Sequence, residues 1–180
     1  ETVLDSSITN KPAQQIADNM IAEYMPELSK VIGTLETDWR AGYGDESNLG
    51  QFEADAFKNK TGADIGFVNG GGLRKSLFKG SILVSDIWEI NPFGNEVQVF
   101  TVSGKDLRQM IKNNIKIRRE KQRAGEGAEI LHTAGLNYSY DSRLVDAGSE
   151  DFLLSLNLGR TEVQDDLYYT ITTNNYITGK

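Results

Sequence analysis

The sequence predicts a single domain mixing α and β elements, an α/β fold of the α+β kind. Three observations carry that reading. Amphipathic helical stretches alternate with short β-branched runs, strand-like segments crowd the region beyond residue 135, and no Pro/Ser-rich linker or internal repeat divides the chain. With 180 residues, 38% of them hydrophobic, the chain is long enough to bury a substantial core as one unit.

Ala13, Ile16, Ala17, Met20, Tyr24 and Leu28 recur at three- and four-residue spacing, which predicts an amphipathic helix over residues 11–29. Asn10 caps it, and its apolar face is expected to pack against another element. Ser47 caps a second helix running through Leu49, Phe52, Ala56 and Phe57 and ending before Lys60-Thr61-Gly62. Ala63 to Val68 then reads as a buried strand. Asn69-Gly70-Gly71-Gly72-Leu73-Arg74 follows directly, a permissive loop closed by a fixed positive charge. Consecutive glycines allow positive φ and let backbone approach a ligand with no Cβ in the way, while Asn69 and Arg74 place donors at the two ends. Such an arrangement suits an anion. Taken alone, a glycine-rich turn with an exposed arginine is the plainer alternative.

Val97 to Val102 alternates as a β-branched strand, and Ser103-Gly104-Lys105-Asp106 opens a third helix with Leu107, Met110, Ile111 and Ile115 on one face. Ser103 has no histidine near it, so capping accounts for it better than nucleophilic catalysis. The run Lys116 to Arg123 reads as a solvated final stretch of helix favoured by the macrodipole, rather than a phosphate patch. Strands follow at Leu136–Tyr140, Phe152–Leu158 and Leu167–Thr173, with turns at Gly148 and Gly159. The acidic pairs Glu150-Asp151 and Asp165-Asp166 fall in turns, where solvated aspartate is ordinary.

Charge and composition exclude several functions. Nineteen basic against 26 acidic residues leave a net charge of −7, which argues against a nucleic-acid polymer or an anionic membrane surface as partner. No apolar run has the length of a transmembrane segment, and no signal-peptide pattern opens the chain. Its first residue is Glu1, so it is read as a mature or excised segment. The absence of cysteine excludes disulfides, thiolate metal sites and cysteine nucleophiles. His132, the sole histidine, lies in Ile130-Leu131-His132-Thr133 without an acidic or histidine partner at helical spacing. It is expected to be structural, and no metal or other cofactor is expected in this segment.

Several elements in fixed order carry a family resemblance. They are Glu46-Ser47-Asn48-Leu49-Gly50 with Asp55-Ala56, Gly62-Ala63-Asp64, Asn69 through Arg74, Lys79-Gly80-Ser81-Ile82, Asn91-Pro92-Phe93-Gly94-Asn95 and Ser103-Gly104-Lys105-Asp106-Leu107. Together they resemble the C-terminal domain of the 5'-nucleotidase family, which includes UDP-sugar hydrolases and 2',3'-cyclic nucleotide phosphodiesterases. Weaker similarity runs on from Tyr169 to Gly179.

The resemblance implies a layered α-β-β-α domain with mixed sheets. It implies a partner, an N-terminal metallophosphoesterase domain of the same polypeptide holding two divalent metal ions, which this chain lacks. It also implies a nucleotide or nucleoside-type ligand whose base is gripped between two aromatic rings. Carried over residue by residue, Asn69 and Arg74 are polar ligands, Gly71 and Gly72 bring backbone to the substrate, Phe93 is one stacking ring and Tyr176 the other. Where the family commonly has an arginine before the Asn-Leu-Gly element, this chain has Tyr43-Gly44-Asp45-Glu46, with Arg40 the nearest basic residue. The chain reaches Thr178-Gly179-Lys180 where the family continues into a Gly-Asp-Gly segment whose aspartate binds the sugar.

The function expected is therefore substrate recognition in a phosphoester hydrolase that is periplasmic, secreted or at the cell surface. This segment alone would be inactive. Two alternatives stand beside it: a free-standing nucleotide-binding or protein-interaction module, and the partner domain of a thiosulfohydrolase-type enzyme.

Overall fold

A computed structural model describes residues 10–179. Its first element, α1 (Lys11–Leu28), begins where Asn10 accepts a hydrogen bond from the Ala13 backbone N–H. The expected packing of this helix is not found. None of its residues is buried, and Ile16, Met20 and Tyr24 are each more than half exposed. Its periodicity is amphipathic, but among the described residues only α3 (Val84–Ile90) makes more than slight contact with it.

The centre of the domain is a four-stranded sheet in the order β4 (Val97–Ser103), β9 (Tyr168–Asn174), β2 (Ile65–Asn69), β5 (Leu131–Ala134). β9 runs parallel to β2 and antiparallel to β4, while β5 is antiparallel to β2, so the sheet is mixed. α2 (Asn48–Thr61) covers one face. The Ser47 hydroxyl caps it by accepting from the Gly50 N–H at 3.1 Å, and Gly62 ends it in the left-handed conformation, φ 72°.

β2 is buried at every position, and its side chains alternate between two apolar layers as strand geometry requires. Val68 meets Ala54 of α2 and Ala134. Ile65 and Phe67 face the other way, into the main core with Leu107, Ile111 and Ile115 of α4 (Gly104–Arg123). Leu136 and Leu156 join that core from a smaller antiparallel sheet of β6 (Leu136–Tyr140), β7 (Leu153–Leu158) and β8 (Thr161–Glu162). Fully burying side chains of this size stabilises by about 1.5–3 kcal/mol each. This is the mixed, layered α/β arrangement expected from the sequence.

Ser103 is a cap. Its Oγ accepts from the Asp106 N–H at 3.1 Å and donates to the Asp106 carboxylate at 2.6 Å. Part of the basic run of α4 is engaged within the fold: Lys116 pairs with Glu150 at 2.5 Å, Arg119 with Asp146 at 2.7 Å, and Arg118 donates to the Gly44 carbonyl at 2.8 Å.

Several elements have no counterpart in the sequence reading. β1 (Val31–Leu35) pairs antiparallel with β3 (Gly80–Leu83) in a separate two-stranded sheet that leads into α3, and β5 forms the edge of the central sheet. Only Leu35 of β1 is buried, so the alternation that announces a strand is missing there. Two short helices, α5 (Ser142–Asp146) and α6 (Asn175–Thr178), complete the fold.

Candidate functional site

β2 ends at Asn69, and Gly70–Gly72 then close a single 3-10 turn in which the Leu73 N–H donates to the Gly70 carbonyl at 3.2 Å. Positive φ is not what these glycines supply. None has positive φ among the described residues. What the turn requires is the absence of side chains: a Cβ on Gly70 would lie 2.5 Å from the backbone oxygens of both Gly42 and Tyr43. The same packing is sealed by hydrogen bonds from the Gly70 N–H to Ile130 O at 2.9 Å and from the Ile130 N–H to Tyr43 O at 2.8 Å.

The turn does hold an anion, and it is internal. Glu129 Oε1 accepts from the Asn69 side-chain amide at 2.8 Å and from the Gly71 N–H at 2.5 Å. Asn69 Oδ1 in turn accepts from the Asn174 side chain at 3.2 Å. Asn69 is 7% exposed and so acts mainly as a strut of the wall, with one amide hydrogen uncommitted among the described residues.

Arg74 is held by its backbone, whose N–H donates to Ile90 O at 2.8 Å, while its exposed guanidinium reaches Gly71 O at 3.3 Å and lies 5.8 Å from the centre of the Phe93 ring. Its neighbour Lys75 is tied to Asp86 and Glu89 at 2.9 and 2.6 Å. Arg74 makes no ion pair among the described residues, which leaves its charge available to a ligand.

Phe93 and Tyr176 come from opposite ends of the chain. Phe93 follows α3 on a loop anchored where the Asn91 side chain donates to Glu53 at 2.7 Å; burial raises the Glu53 carboxyl above the usual glutamate range, and the Asn91 bond partly opposes this. Tyr176 rides on α6, capped by Asn174 and fixed by a reciprocal pair: the Asn175 N–H donates to Glu96 O at 2.9 Å, and the Glu96 N–H to Asn175 Oδ1 at 3.1 Å. The two aromatic carriers are thus bolted to each other. Both residues are exposed, Phe93 to 55% and Tyr176 to 65%.

All six residues singled out in the sequence, Asn69, Gly71, Gly72, Arg74, Phe93 and Tyr176, line one cleft of about 480 Å3. Tyr43, Asn95 and Glu129 line it too and were missed. Asn95 stood within the Pro-Phe-Gly-Asn element, but Tyr43 and Glu129 carry no local signal. Arg40 does not line this cleft: its side chain is 77% exposed and pairs loosely with Asp38 at 3.9 Å, and Tyr43 occupies the wall nearby.

His132 is structural, as expected. It is 3% exposed, lies over Gly50 of α2, and its Nε2–H donates to Gly42 O at 3.0 Å, steadying the segment that leads to Tyr43. Burial lowers its pKa below the ordinary 6.5, the bond to Gly42 and the nearby Glu46 opposing this only in part. The neutral ring is therefore favoured in the fold. Its stabilisation is complete above 6.5 and is lost as pH falls from there through the depressed folded value. Urea midpoints are expected to drop over that acidic window, and His132→Gln should flatten the drop. An unchanged slope in the variant would assign the dependence to other groups.

Among the described residues, no group of three or more His, Asp or Glu side chains is arranged to hold a metal ion, and no helix is long and apolar enough to cross a membrane.

The mixed-sheet domain is of a known class found in hydrolases. The chain belongs to the 5'-nucleotidase C-terminal domain family, which its residues 31–180 match. Over 157 residues it is 32% identical to the Endonuclease YhcR of Bacillus subtilis, covering 84% of this chain and 12% of that protein. Over 81 residues it is 35% identical to a 5'-nucleotidase of Vibrio parahaemolyticus, covering 45% of this chain and 14% of that one. In three dimensions it resembles the 5'-nucleotidase precursor of Thermus thermophilus with a TM-score of 0.73 at 25% identity, over 94% of this chain and 34% of that one. The sulfate thiohydrolase SoxB of Thermus thermophilus matches with a TM-score of 0.76 at 14% identity, over 91% and 30% of the two chains, a likeness of fold alone. The chain thus spans a minor part of each of these proteins.

Proposed function

We propose that this domain binds the base and sugar of a nucleotide for a phosphoester hydrolase, and that hydrolysis takes place on a separate dimetal domain of the same polypeptide. The observation that carries the reading is the convergence of Phe93 and Tyr176, both exposed, with Arg74 in one cleft of nucleoside dimensions. An exposed ring is a platform for any base, because every base offers a π face, so stacking supplies affinity and edge contacts supply discrimination. Asn95 and the free amide hydrogen of Asn69 are the edge groups available. Arg74 supplies a charged donor at the aromatic end, where its guanidinium also stacks over Phe93.

On this reading the single domain described here is one part of a longer polypeptide, and the metal ions belong to its other part. A periplasmic, secreted or cell-surface placement goes with that assignment. Membership in the family favours an enzyme part over a free-standing binding or interaction module.

Arg74→Ala tests the reading. The side chain is exposed and unpaired, so the melting temperature is expected to stay within about 1–2 °C, the scale of a surface substitution in a chain of this size. Affinity for AMP, measured by calorimetry on this chain, should weaken by about 1.5–3 kcal/mol, the usual worth of a hydrogen bond to a charged group. A large loss of stability with unaltered AMP affinity would make Arg74 a structural residue.

A further inference from the structure

We propose that Glu53, which lies outside the cleft, is a positioning residue that sets the loop bearing Phe93 and Asn95 against the glycine turn, and that the fold keeps it there at a cost in stability. This deepens the nucleoside reading and rests on it. Glu53 belongs to α2 and lines a second cavity of about 500 Å3, behind that loop, with Leu49, Phe52, Phe57, Ile87 and Trp88 among its walls. It is the sole ionisable residue in that lining. Its Oε2 is buried and takes no hydrogen bond among the described residues. A carboxylate oxygen buried without a donor is unfavourable, and an apolar side chain of similar size suits such surroundings better. Burial accordingly raises the Glu53 carboxyl above the usual glutamate range. What the carboxylate contributes is therefore its one hydrogen bond, in which Oε1 accepts from Asn91 Nδ2 at 2.7 Å.

That bond falls where three elements meet. Asn91 ends α3 and opens the loop, and the residue before it, Ile90, accepts the Arg74 N–H through its carbonyl. A Cβ on Gly72 would stand 3.3 Å from Asn69 Oδ1 and 3.6 Å from Asn91 Nδ2, so the Asn91 amide lies against the glycine turn while it reaches back to α2. Further along, Phe93 lines the cleft, Gly94 lines the apolar cavity, and Asn95 lines both. The loop is thus pinned at each end, by Glu53 at Asn91 and by the reciprocal bonds of Asn175 at Glu96. Freed at the first end, it has an open apolar cavity behind it to sink into, and Phe93 would leave its place beside Arg74. Preorganisation of the ring is what the buried carboxylate secures.

Glu53→Leu and Glu53→Gln in the full chain test this, with adenosine affinity measured by calorimetry and the thermal midpoint measured at neutral pH. Leucine removes both the buried charge and the acceptor. Its midpoint is expected to match or exceed that of the wild-type chain, while adenosine binds about tenfold more weakly, as loss of a hydrogen bond to a charged group predicts. Amide hydrogen exchange at Phe93 and Asn95 should quicken in the same variant. Glutamine keeps an oxygen for Asn91 without the charge, so its adenosine affinity should stay within about threefold of wild type. A residue that merely supports the fold would lose stability along with binding, so a lowered midpoint in Glu53→Leu overturns the assignment. Full adenosine affinity in that variant, or a Glu53→Gln chain that binds as weakly as Glu53→Leu, overturns it too and leaves the nucleoside reading standing. Absence of adenosine binding to the wild-type chain overturns both.

Discussion

Replacing both rings, as Phe93→Ala with Tyr176→Ala, is expected to reduce nucleoside affinity by a hundredfold or more, because each base–aromatic stack is worth about 1–3 kcal/mol. The thermal midpoint should hardly move, since both side chains are more than half exposed and belong to no buried cluster. Calorimetry on the two single variants and the double variant supplies the cycle that apportions the effect. If the base lies between the rings, each single variant should leave residual binding and weaken adenine and uracil nucleosides alike. A variant that shifts base preference strongly while sparing affinity would instead assign edge recognition to that ring.

The second large effect is on the scaffold. Gly70→Ala is expected to destabilise the chain by about 3 kcal/mol, the upper end for overpacking, because the atoms it strikes are backbone oxygens that no rotamer change can move. For a chain of this size that corresponds to a melting temperature about 6–12 °C lower. The displaced turn would carry Asn69, Gly71 and Arg74 with it, so nucleoside affinity should fall as well. Thermal unfolding followed by circular dichroism checks the first part. A stable variant with a native midpoint would mean that the segment at Gly42 and Tyr43 yields easily, and that the turn is not packed as described.

Much of the scaffold was legible because its signals are local. Ser47 and Ser103 announce helices by capping, Gly62 stops one, and the spacing of Leu107, Ile111 and Ile115 reports a buried face before any partner is known. The six expected cleft residues were legible through family motifs. Their convergence was not legible from spacing alone, since residue 69 and residue 176 meet only through the pairing of β2 with β9.

What stayed hidden depends on long-range placement. β1 buries one residue, so its membership in a sheet is decided by β3, far along the chain. The glycine turn was read as a source of positive φ, whereas its glycines answer to the carbonyls of residues 42 and 43 and to Glu129, none of them adjacent in sequence. Glu129 itself lies in an unpatterned stretch, and nothing local distinguishes it from a solvated acid. For α1, periodicity correctly reports an apolar face, but it cannot report whether the partner for that face lies within the same residues.

The most direct test of the nucleoside cleft is amide chemical-shift mapping of the isotopically labelled chain during titration with adenosine. The amides of Gly71, Arg74, Asn95 and Tyr176 should shift together along one binding curve, with the remainder of the central sheet quiet. Shifts centred instead on the separate polar cavity at Arg118, Asn137 and Tyr138, or no shift up to the solubility of adenosine, would contradict the assignment of this cleft.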